Sequence, residues 1–551
     1  MTNATGVSFS VLILTAILSE YAVASSPVLL YGFPVLCDSS LPAAFGSPPI
    51  VDDFDGDGSK EVLIAYTFSE SQSKVCLYDK AGCLKSGWPV FVNGTRPVTA
   101  AGDIDMNGKL DGVVRTSECV AVLDCYGKPA KGFPVSVVSG NTRLLLYDLT
   151  ADSRPEIITT GISSVIALNY QGSHLDGWPV TIRTKLSDEY TISEIGACDL
   201  NSDGLTELII PASSRDSPAH GLFILNHDGS HYLNSPVMSD SGYHFNAKSA
   251  SIFKENDSVL FAVNSTLNAG YGSRTRTFVY DSNCRIHSVY YSESFYNTSG
   301  PVSIGKFSDH TELYLSFGYQ GMFTLITSSG GRLISGWPVF TNSFWKRTTD
   351  ITVISESPVI VTTENYADTL GGYSENNGYV RFIYVNGVEA VYSPVRLKGI
   401  AETSPTFCDL NSDNLTDMIV MSYSDHNSGS QPNHKAYLYC WTFPDTEFGQ
   451  STACWPMYAH DRYRTNQYGF IPPDEPVGIQ PMSTVVPDEF KLYQNYPNPF
   501  NPSTAIRFDV RASGNVTLKV FDVLGKEVEV IVNEYLKTGS YSVQFRGDEL
   551  P

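Results

Sequence analysis

The chain has 551 residues, 42% hydrophobic and 12% aromatic, which excludes intrinsic disorder and a simple fibrous repeat over most of its length. Its 36 Lys and Arg face 58 Asp and Glu, a net charge of −22, so the clustered basic surface that a nucleic-acid partner needs is not expected. At roughly 100–200 residues per domain the length allows three or more domains, although all-β architectures can use more than about 200 residues on one.

Residues 1–24 read as a signal peptide. An apolar run from Val7 to Leu18 precedes Ala22-Val23-Ala24 and Ser25, a small-residue pattern suited to signal peptidase, although the n-region carries no Lys or Arg. No other apolar run approaches the ~18 residues of a membrane span, so the mature chain is expected to have no transmembrane segment. Ten Cys in an exported protein permit disulfides, yet no CxxC pair or zinc-ligand spacing is present, and pairing does not follow from the sequence. Cys198 and Cys408 hold equivalent positions in two repeats and read as buried thiols.

From residue 28 to residue 468 the chain repeats itself. Gly87-Trp88-Pro89-Val90 returns as Gly132-Phe133-Pro134-Val135, Gly177-Trp178-Pro179-Val180 and Gly336-Trp337-Pro338-Val339. Gly32-Phe33-Pro34-Val35 precedes them, Cys454-Trp455-Pro456-Met457 follows, and Ser235-Pro236-Val237 and Ser393-Pro394-Val395 are weaker copies. Interleaved is a nine-residue acidic loop of DxDxDGxxE form, at Asp53 to Glu61, Asp103 to Asp111, Asp148 to Glu156, Asp199 to Glu207 and Asp409 to Asp417. Degenerate copies lead into Val259 to Ala262, Glu312 to Leu315 and Pro358 to Val361, which brings the count to eight units. Each unit reads strand, acidic loop, strand, connection, strand, hairpin, strand. Four short strands recurring every ~45–60 residues without a helical period predict an all-β fold, an eight-bladed β-propeller, with seven blades and a split or shared blade as the alternative. The first and last Pro-containing elements are expected to lie side by side where the ring closes.

Calcium takes six to eight oxygens, so a short loop with carboxylates at alternate positions can wrap it. In the first loop Asp53, Asp55, Asp57 and Glu61 would supply side-chain oxygens and Ser59 a backbone carbonyl, with Gly58 permitting the sharp turn. The spacing is not that of an EF-hand, whose twelfth position is a bidentate Glu; here the closing acid comes ninth. This pattern, with the blade period, resembles the FG-GAP and VCBS repeats of integrin α-subunits and many bacterial exoproteins. The resemblance implies Ca²⁺ at Asp53, Asp55, Asp57, Ser59 and Glu61; at Asp103, Asp105, Asn107, Lys109 and Asp111; at Asp199, Asn201, Asp203, Leu205 and Glu207; and at Asp409, Asn411, Asp413, Leu415 and Asp417. The loop of Asp148, Thr150, Asp152, Arg154 and Glu156 departs from the pattern at Thr150, Ser153 and Pro155 and would be a fifth, poorer site. Extracellular calcium modules commonly bind with Kd of about 10⁻⁴–10⁻³ M, so each site would add only on the order of 1 kcal/mol at millimolar calcium. The five loops hold 16 carboxylates as side-chain ligands; taking these from the 58 acids leaves 42 against 36 bases, so most of the chain's surplus charge sits in them.

Pro472, Pro473, Pro476, Pro481 and Pro487 mark residues 469–489 as a stiff linker. After it, residues 490–551 alternate apolar and polar over Ala505 to Val510, Val516 to Val523 and Tyr541 to Phe545, which predicts a small Ig-like β-sandwich. Tyr493-Gln494-Asn495-Tyr496-Pro497-Asn498-Pro499-Phe500-Asn501-Pro502-Ser503-Thr504 and Val520-Phe521-Asp522-Val523-Leu524-Gly525-Lys526-Glu527-Val528 closely resemble the type A C-terminal sorting domain of the type IX secretion system. That resemblance implies the type IX secretion machinery as a partner and a Gram-negative, Bacteroidetes-like export route, ending with a protein released or attached at the outer-membrane surface. The chain stops at Leu550-Pro551, where that family continues through a final strand and a basic tail, so a truncated copy is expected.

GxSxG, HExxH, a P-loop and GxGxxG before a helix are all absent, so no catalytic residue is assigned. His227 and His231 flank a hairpin rather than share a helix face. Acidic loops and Asp-x-x-Gly hairpins should share one face of the ring, and the connections from second to third strand the other. Three of these connections are enlarged, at Ser265 to Arg276, Asn365 to Gly378 and Ser424 to Lys435, and offer Tyr271, Arg274, Arg276, Tyr366, Tyr373, His426 and His434 for polar or sugar-stacking contacts. The expected function is adhesion, or binding of an extracellular glycan or protein ligand, by a secreted calcium-stabilised propeller. The alternative is a polysaccharide-acting lyase or hydrolase on the same scaffold.

Overall fold

The computed structural model describes residues 26–41, 46–137, 142–183 and 190–214 continuously and most of 220–546 in shorter stretches. Residues 1–24, read above as a signal peptide, lie outside the described residues. The chain divides into two compact units, Met1–Pro472 and Pro473–Pro551. Every regular element among the described residues is a β-strand, and no helix among them is long and apolar enough to cross a membrane.

In the first unit the chain builds antiparallel meanders one after another. Sheet 1 consists of Ile50–Asp52, Glu61–Thr67, Gln72–Tyr78 and Val90–Asn93, hydrogen-bonded in that order. Sheets 2 to 7 run from Val98–Gly102 to Val135–Ser136, Leu144–Tyr147 to Val180–Thr181, Tyr190–Ile192 to Val237–Met238, Tyr243–His244 to Ile286–Ser292, Ser303–Lys306 to Val339–Phe340, and Trp345–Ile354 to Val395–Lys398. Sheet 8 runs from Ile400–Ala401 to His434–Glu447 and is completed by the N-terminal strands Val28–Leu29 and Val35–Leu41, which both pair with His434–Glu447. Each degenerate stretch of the sequence forms a second strand: Ser258–Asn268, Leu313–Tyr319 and Ser357–Ala367.

The sheets pack face to face in cyclic order. Glu61–Thr67 is buried along its whole length, as a strand covered on both faces must be. Its alternate side chains serve different neighbours: Leu63 and Ala65 join Val114 and Leu123 of sheet 2, while Val62 and Ile64 join Ile419 and Leu438 of sheet 8. The same two-sided packing links sheet 2 to 3 through Val113 and Ile157, 3 to 4 through Ile158 and Leu208, and 4 to 5 through Ile209 and Phe261. Leu260, Ile304 and Ile360 join sheets 5, 6 and 7, and Val361 with Met418 joins 7 to 8.

The Gly-Trp-Pro-Val element is the latch between neighbours. Gly87 has φ +91°, and a Cβ there would sit 2.0 Å from the Tyr126 carbonyl oxygen in the next sheet's hairpin. Gly32 meets Ala81, Gly132 meets Gln171, Gly177 meets Asp228 and Gly336 meets Asn386 in the same way. Glycine is required twice over, for the left-handed backbone and for the approach. The following aromatic is buried, and Trp Nε1 donates across the seam: Trp88 to the Cys125 carbonyl at 3.0 Å, Trp178 to His227 at 3.2 Å, Trp337 to Val385 at 2.6 Å. Phe33 and Phe133 fill the same space without the donor. The X-Pro bond is cis at Pro34, Pro89, Pro134, Pro179, Pro236 and Pro394, and Val90, Val135 and Val180 open the outermost strands. Cys454-Trp455-Pro456, expected at the closure, lies outside the described residues.

After sheet 8 the chain turns inward. First strands of successive sheets touch one another, as Ile50–Asp52 touches Val98–Gly102 and that strand touches Leu144–Tyr147, so they form the inner wall. Residues 460–465 and Gln467 cross that wall. The amides of Ala101, Leu146 and Ala197 donate to the carbonyls of Arg462, Tyr463 and Thr465, and Gln467 bridges Ile252, which ties sheets 2, 3, 4 and 5 to one strap. Arg464 donates to the Thr99 and Pro48 carbonyls, and Tyr463 is fully buried in the core between sheets 2 and 3.

Strand extends into parts of two segments read as irregular in the sequence. The flanks of the enlarged connections are strand: Ser265 pairs with Arg276, Asn268 with Ser273, Ala367 with Asn376 and Ser424 with Lys435, as Thr-, Tyr- and Arg-rich stretches continue the ladder, while 269–272, 368–375 and 425–433 lie outside the described residues. The expected linker also contributes a strand, Gln480–Ser483, which pairs with Gly539–Arg546 in the second unit. That unit has a sheet ordered Gln480–Ser483, Gly539–Arg546, Ser503–Val510, Lys491–Leu492 and a pair of Gly514–Phe521 with Glu527–Leu536. Phe508, Val510, Val532 and Tyr541 form its core.

Candidate metal loops

All five acidic loops join the first strand of a sheet to its second, and all five adopt one hydrogen-bonding scheme. Number the loop positions 1 to 9. The position-1 carboxylate accepts from the backbone amides of positions 5 and 6: Asp53 from Asp57 at 3.2 Å and Gly58 at 2.7 Å, Asp103 from Asn107 at 2.9 Å and Gly108 at 2.7 Å. Asp148, Asp199 and Asp409 do the same with Asp152 and Ser153, Asp203 and Gly204, and Asp413 and Asn414. Position 5 caps position 7: the side chains of Asp57, Asn107, Asp152, Asp203 and Asp413 accept from the amides of Ser59, Lys109, Arg154, Leu205 and Leu415. Position 9 accepts from the amide of position 2, Glu61 from Phe54 at 3.0 Å, Asp111 from Ile104, Glu156 from Leu149, Glu207 from Leu200 and Asp417 from Leu410.

Glu61, Asp111, Glu156 and Glu207 open their second strands and Asp417 is the third residue of its own, and all five are buried, from 0% exposure at Asp417 to 4% at Glu156. Burial, followed by nearby carboxylates, holds their protons on. Asp111 is pushed up to about 8, with Asp105 and Asp103 adding to the burial. Glu156 and Glu207 are pushed up to about 7 and Asp417 to about 6, in each case by burial against the opposing pull of the position-2 amide. Glu61 is raised as well. A buried carboxylate favours its neutral form unless a cation faces it.

Carboxylate oxygens converge most closely in two loops. Those of Asp53, Asp55 and Glu61 lie within 4.8 Å of one another, and so do those of Asp103, Asp105 and Asp111. These two clusters could hold a metal ion, and their all-oxygen chemistry suits a hard cation. In the third loop Thr150 stands at position 3, and its hydroxyl donates to Glu156 at 3.3 Å, so it spends its proton on the closing acid. Asn201 and Asn411 take position 3 in the other two loops and donate to Asp203 at 2.8 Å and Asp413 at 2.9 Å.

The Asp-x-x-Gly hairpins lie beside the acidic loops. Lys109 Nζ sits 5.4 Å from the Tyr126 ring centre and Arg154 4.5 Å from that of Tyr170, each pairing loop position 7 with the hairpin of its own sheet. Lys85, after the first hairpin, reaches 2.8 Å from both Asp55 and Glu61. Sequence reasoning missed both Lys85 and the amide bond that buries position 9. The first has no periodic signal, and the second depends on the position-2 amide, which every residue type carries.

Other expected residues fall elsewhere. Tyr271, Tyr373 and His426 lie outside the described residues. Arg274, Tyr366 and His434 are in strands, and Arg276 is half-buried in Ser273–Asp281. His227 uses its carbonyl to receive Trp178, and the ring of His231 packs near Phe223. His460 and Asp461 are buried, with Asp461 bound to His460 and to the Thr465 hydroxyl within the strap. The nine described cysteines are free thiols, and Cys198 and Cys408 are buried.

No family model matches the chain, and no curated protein matches it. Solved structures similar to it include the rhamnogalacturonan lyase YesW, at 14% identity over 80% of this chain and 82% of that one, with a TM-score of 0.44. The Dos1 propeller shares 10% identity over 77% of this chain and 96% of its own, at 0.43. The V. cholerae biofilm matrix protein Bap1 shares 12% over 79% and 94%, at 0.35.

Proposed function

We propose that this chain is an exported, calcium-stabilised eight-bladed β-propeller followed by a small Ig-like sorting domain, and that the ring serves as an adhesion or ligand-binding module for an extracellular glycan or protein. One observation carries the calcium part: the same cradle recurs five times, each with a buried ninth acid that the fold has desolvated. In this reading positions 1, 3, 5 and 9 offer side-chain oxygens, and position 7, which is Lys109, Arg154, Leu205 and Leu415 in the second to fifth loops, offers a carbonyl. A bound Ca²⁺ supplies the positive charge that lets the ninth acid ionise in place. The chain's own residues supply the rest, because the amide bonds to positions 1, 5 and 9 hold the loop turned before any ion arrives.

Binding is supported by the long second and third strands of sheets 5, 7 and 8, which run nine to fourteen residues against five to eight in sheets 1 to 4. Export is supported by the leader and by the likeness of residues 490–551 to type A sorting domains, which would bring the type IX machinery as partner and the outer-membrane surface as destination.

Equilibrium dialysis of the intact chain against calcium tests the first part, with several equivalents bound as the expected result and none as the contrary one. A glycan array run beside an ultraviolet assay for unsaturated uronates tests the second. Array binding without new absorbance supports a binding module, and new absorbance would make the protein a lyase.

A further inference from the structure

The first acidic loop differs from the other four because a fixed cation enters it. Lys85 Nζ bridges Asp55 Oδ2 and Glu61 Oε1 at 2.8 Å each, and these carboxylates with Asp53 are the convergent set of the loop. Glu61 is 1% exposed and its other oxygen receives the Phe54 amide, so the ammonium completes the partners of a buried acid.

The position of Lys85 is defined by the repeat. Its amide donates to the Leu77 carbonyl, as Ala130 does to Val122, Leu175 to Ala167 and Tyr232 to Ile224. Ala130, Leu175 and Tyr232 are therefore its counterparts in sheets 2, 3 and 4, and none of them can carry a charge to its loop. Among the described residues, no ammonium or guanidinium pairs with Asp111, Glu156, Glu207 or Asp417.

We infer that Lys85 is a built-in counter-ion that occupies the cation position of loop 1 and keeps divalent ions out of the loop with the most carboxylates. The inference rests on the calcium reading of the other loops. A divalent ion entering loop 1 must displace an ammonium tethered a few bonds away and then face it at short range, a like-charge penalty that loops 2, 3, 4 and 5 do not carry. Sheet 1 also abuts the seam where the N-terminal strands complete sheet 8. Its loop then stays ordered whether or not calcium is present.

The test is a calcium titration of the intact chain by calorimetry, comparing wild type with Lys85→Met and, as a polar alternative, Lys85→Gln, each checked for native circular dichroism. Either variant should bind one more equivalent than wild type, and adding Asp53→Asn to it should remove that equivalent. In wild type, Asp53→Asn alone should change nothing. The inference is overturned if Asp53→Asn lowers the wild-type stoichiometry by one, or if neither lysine variant gains an equivalent. A wild type that binds no calcium would defeat the proposed function, while the step from none to one in the lysine variants would still decide the role of Lys85.

Discussion

Sheets 1 to 4 and 8 join their first two strands through the nine-residue acidic loop, whereas sheets 5 and 7 make the same connection with almost nothing. In sheet 1 Asp52 pairs with Glu61, and in sheet 2 Gly102 pairs with Asp111. In sheet 5 Glu255 pairs with Ser258, and in sheet 7 Ile354 pairs with Ser357, leaving two residues between the paired positions. The core between sheets is the same in both halves: Leu260, Ile304 and Ile360 do between sheets 5, 6 and 7 what Leu63 and Val114 do between 1 and 2. The difference teaches that the acidic loop does not build the ring. Interleaved apolar faces and the glycine latch build it, and the loops are a separate layer, which the proposed calcium would make ion-dependent.

The largest effect should come from attacking what both halves share. Gly87→Val would force a side chain against the Tyr126 carbonyl at a φ of +91°, and should cost at least ~2 kcal/mol, read as a lowered denaturant midpoint with or without calcium. If instead the loss vanished in calcium, latch and loop would be one system.

A transplant comes next. Replacing the segment from Asp103 to Lys109 and Leu110 by Asn-Gly should give sheet 2 the short connection of sheets 5 and 7. The expected protein keeps its circular dichroism, binds one calcium fewer and loses on the order of 1 kcal/mol of calcium-dependent stability. Unfolding on this change would show that the loops are needed for the fold.

The pH dependence separates the halves differently. In chelator Asp111, Glu156, Glu207 and Asp417 hold their protons up to about 8, 7, 7 and 6, while unfolded carboxyls release theirs near 4. Between those values the folded chain binds more protons, so this contribution is complete below about pH 4 and is lost as pH rises through 6 to 8. The metal-free melting temperature should therefore be lower at pH 8 than at pH 5.5, and calcium, which favours the ionised acids, should flatten the profile. A profile equally steep in calcium would deny that the ion faces these groups.

The smallest effect belongs to the seam donor. Trp88→Phe copies what Phe133 already does, and should cost about 1 kcal/mol for the lost bond to the Cys125 carbonyl. A loss several times larger would mean that the indole carries packing that Phe133 shows to be replaceable.

Much of this was legible in the sequence for physical reasons. A latch that needs glycine, an aromatic and proline in one order leaves the same four letters at each seam, and a loop that turns on its own carboxylates leaves acids at fixed spacing. The strands of sheets 5 and 7 were recognised only through Val259 to Ala262 and Pro358 to Val361, because a two-residue turn leaves no acidic signature. The strap of residues 460–465 and Gln467 was not foreseen as a tie across four sheets, since its bonds run through backbone carbonyls of Arg462, Tyr463 and Thr465. Lys85 was invisible for a related reason: its role depends on where the chain brings it, and nothing in the repeat repeats it. In the second unit Glu527–Leu536 escaped notice because its alternation of Glu and Val runs into the continuous apolar Val530-Ile531-Val532, which breaks the period of two.

The most direct measurement is thermal denaturation of the intact chain at pH 7.5 in millimolar calcium and in excess chelator, beside a variant carrying Asp103→Asn, Asp199→Asn and Asp409→Asn. The account predicts that chelator lowers the wild-type melting temperature while the native β-sheet spectrum persists below it, and that the triple variant melts with little response to calcium. Identical wild-type curves in calcium and chelator would contradict it.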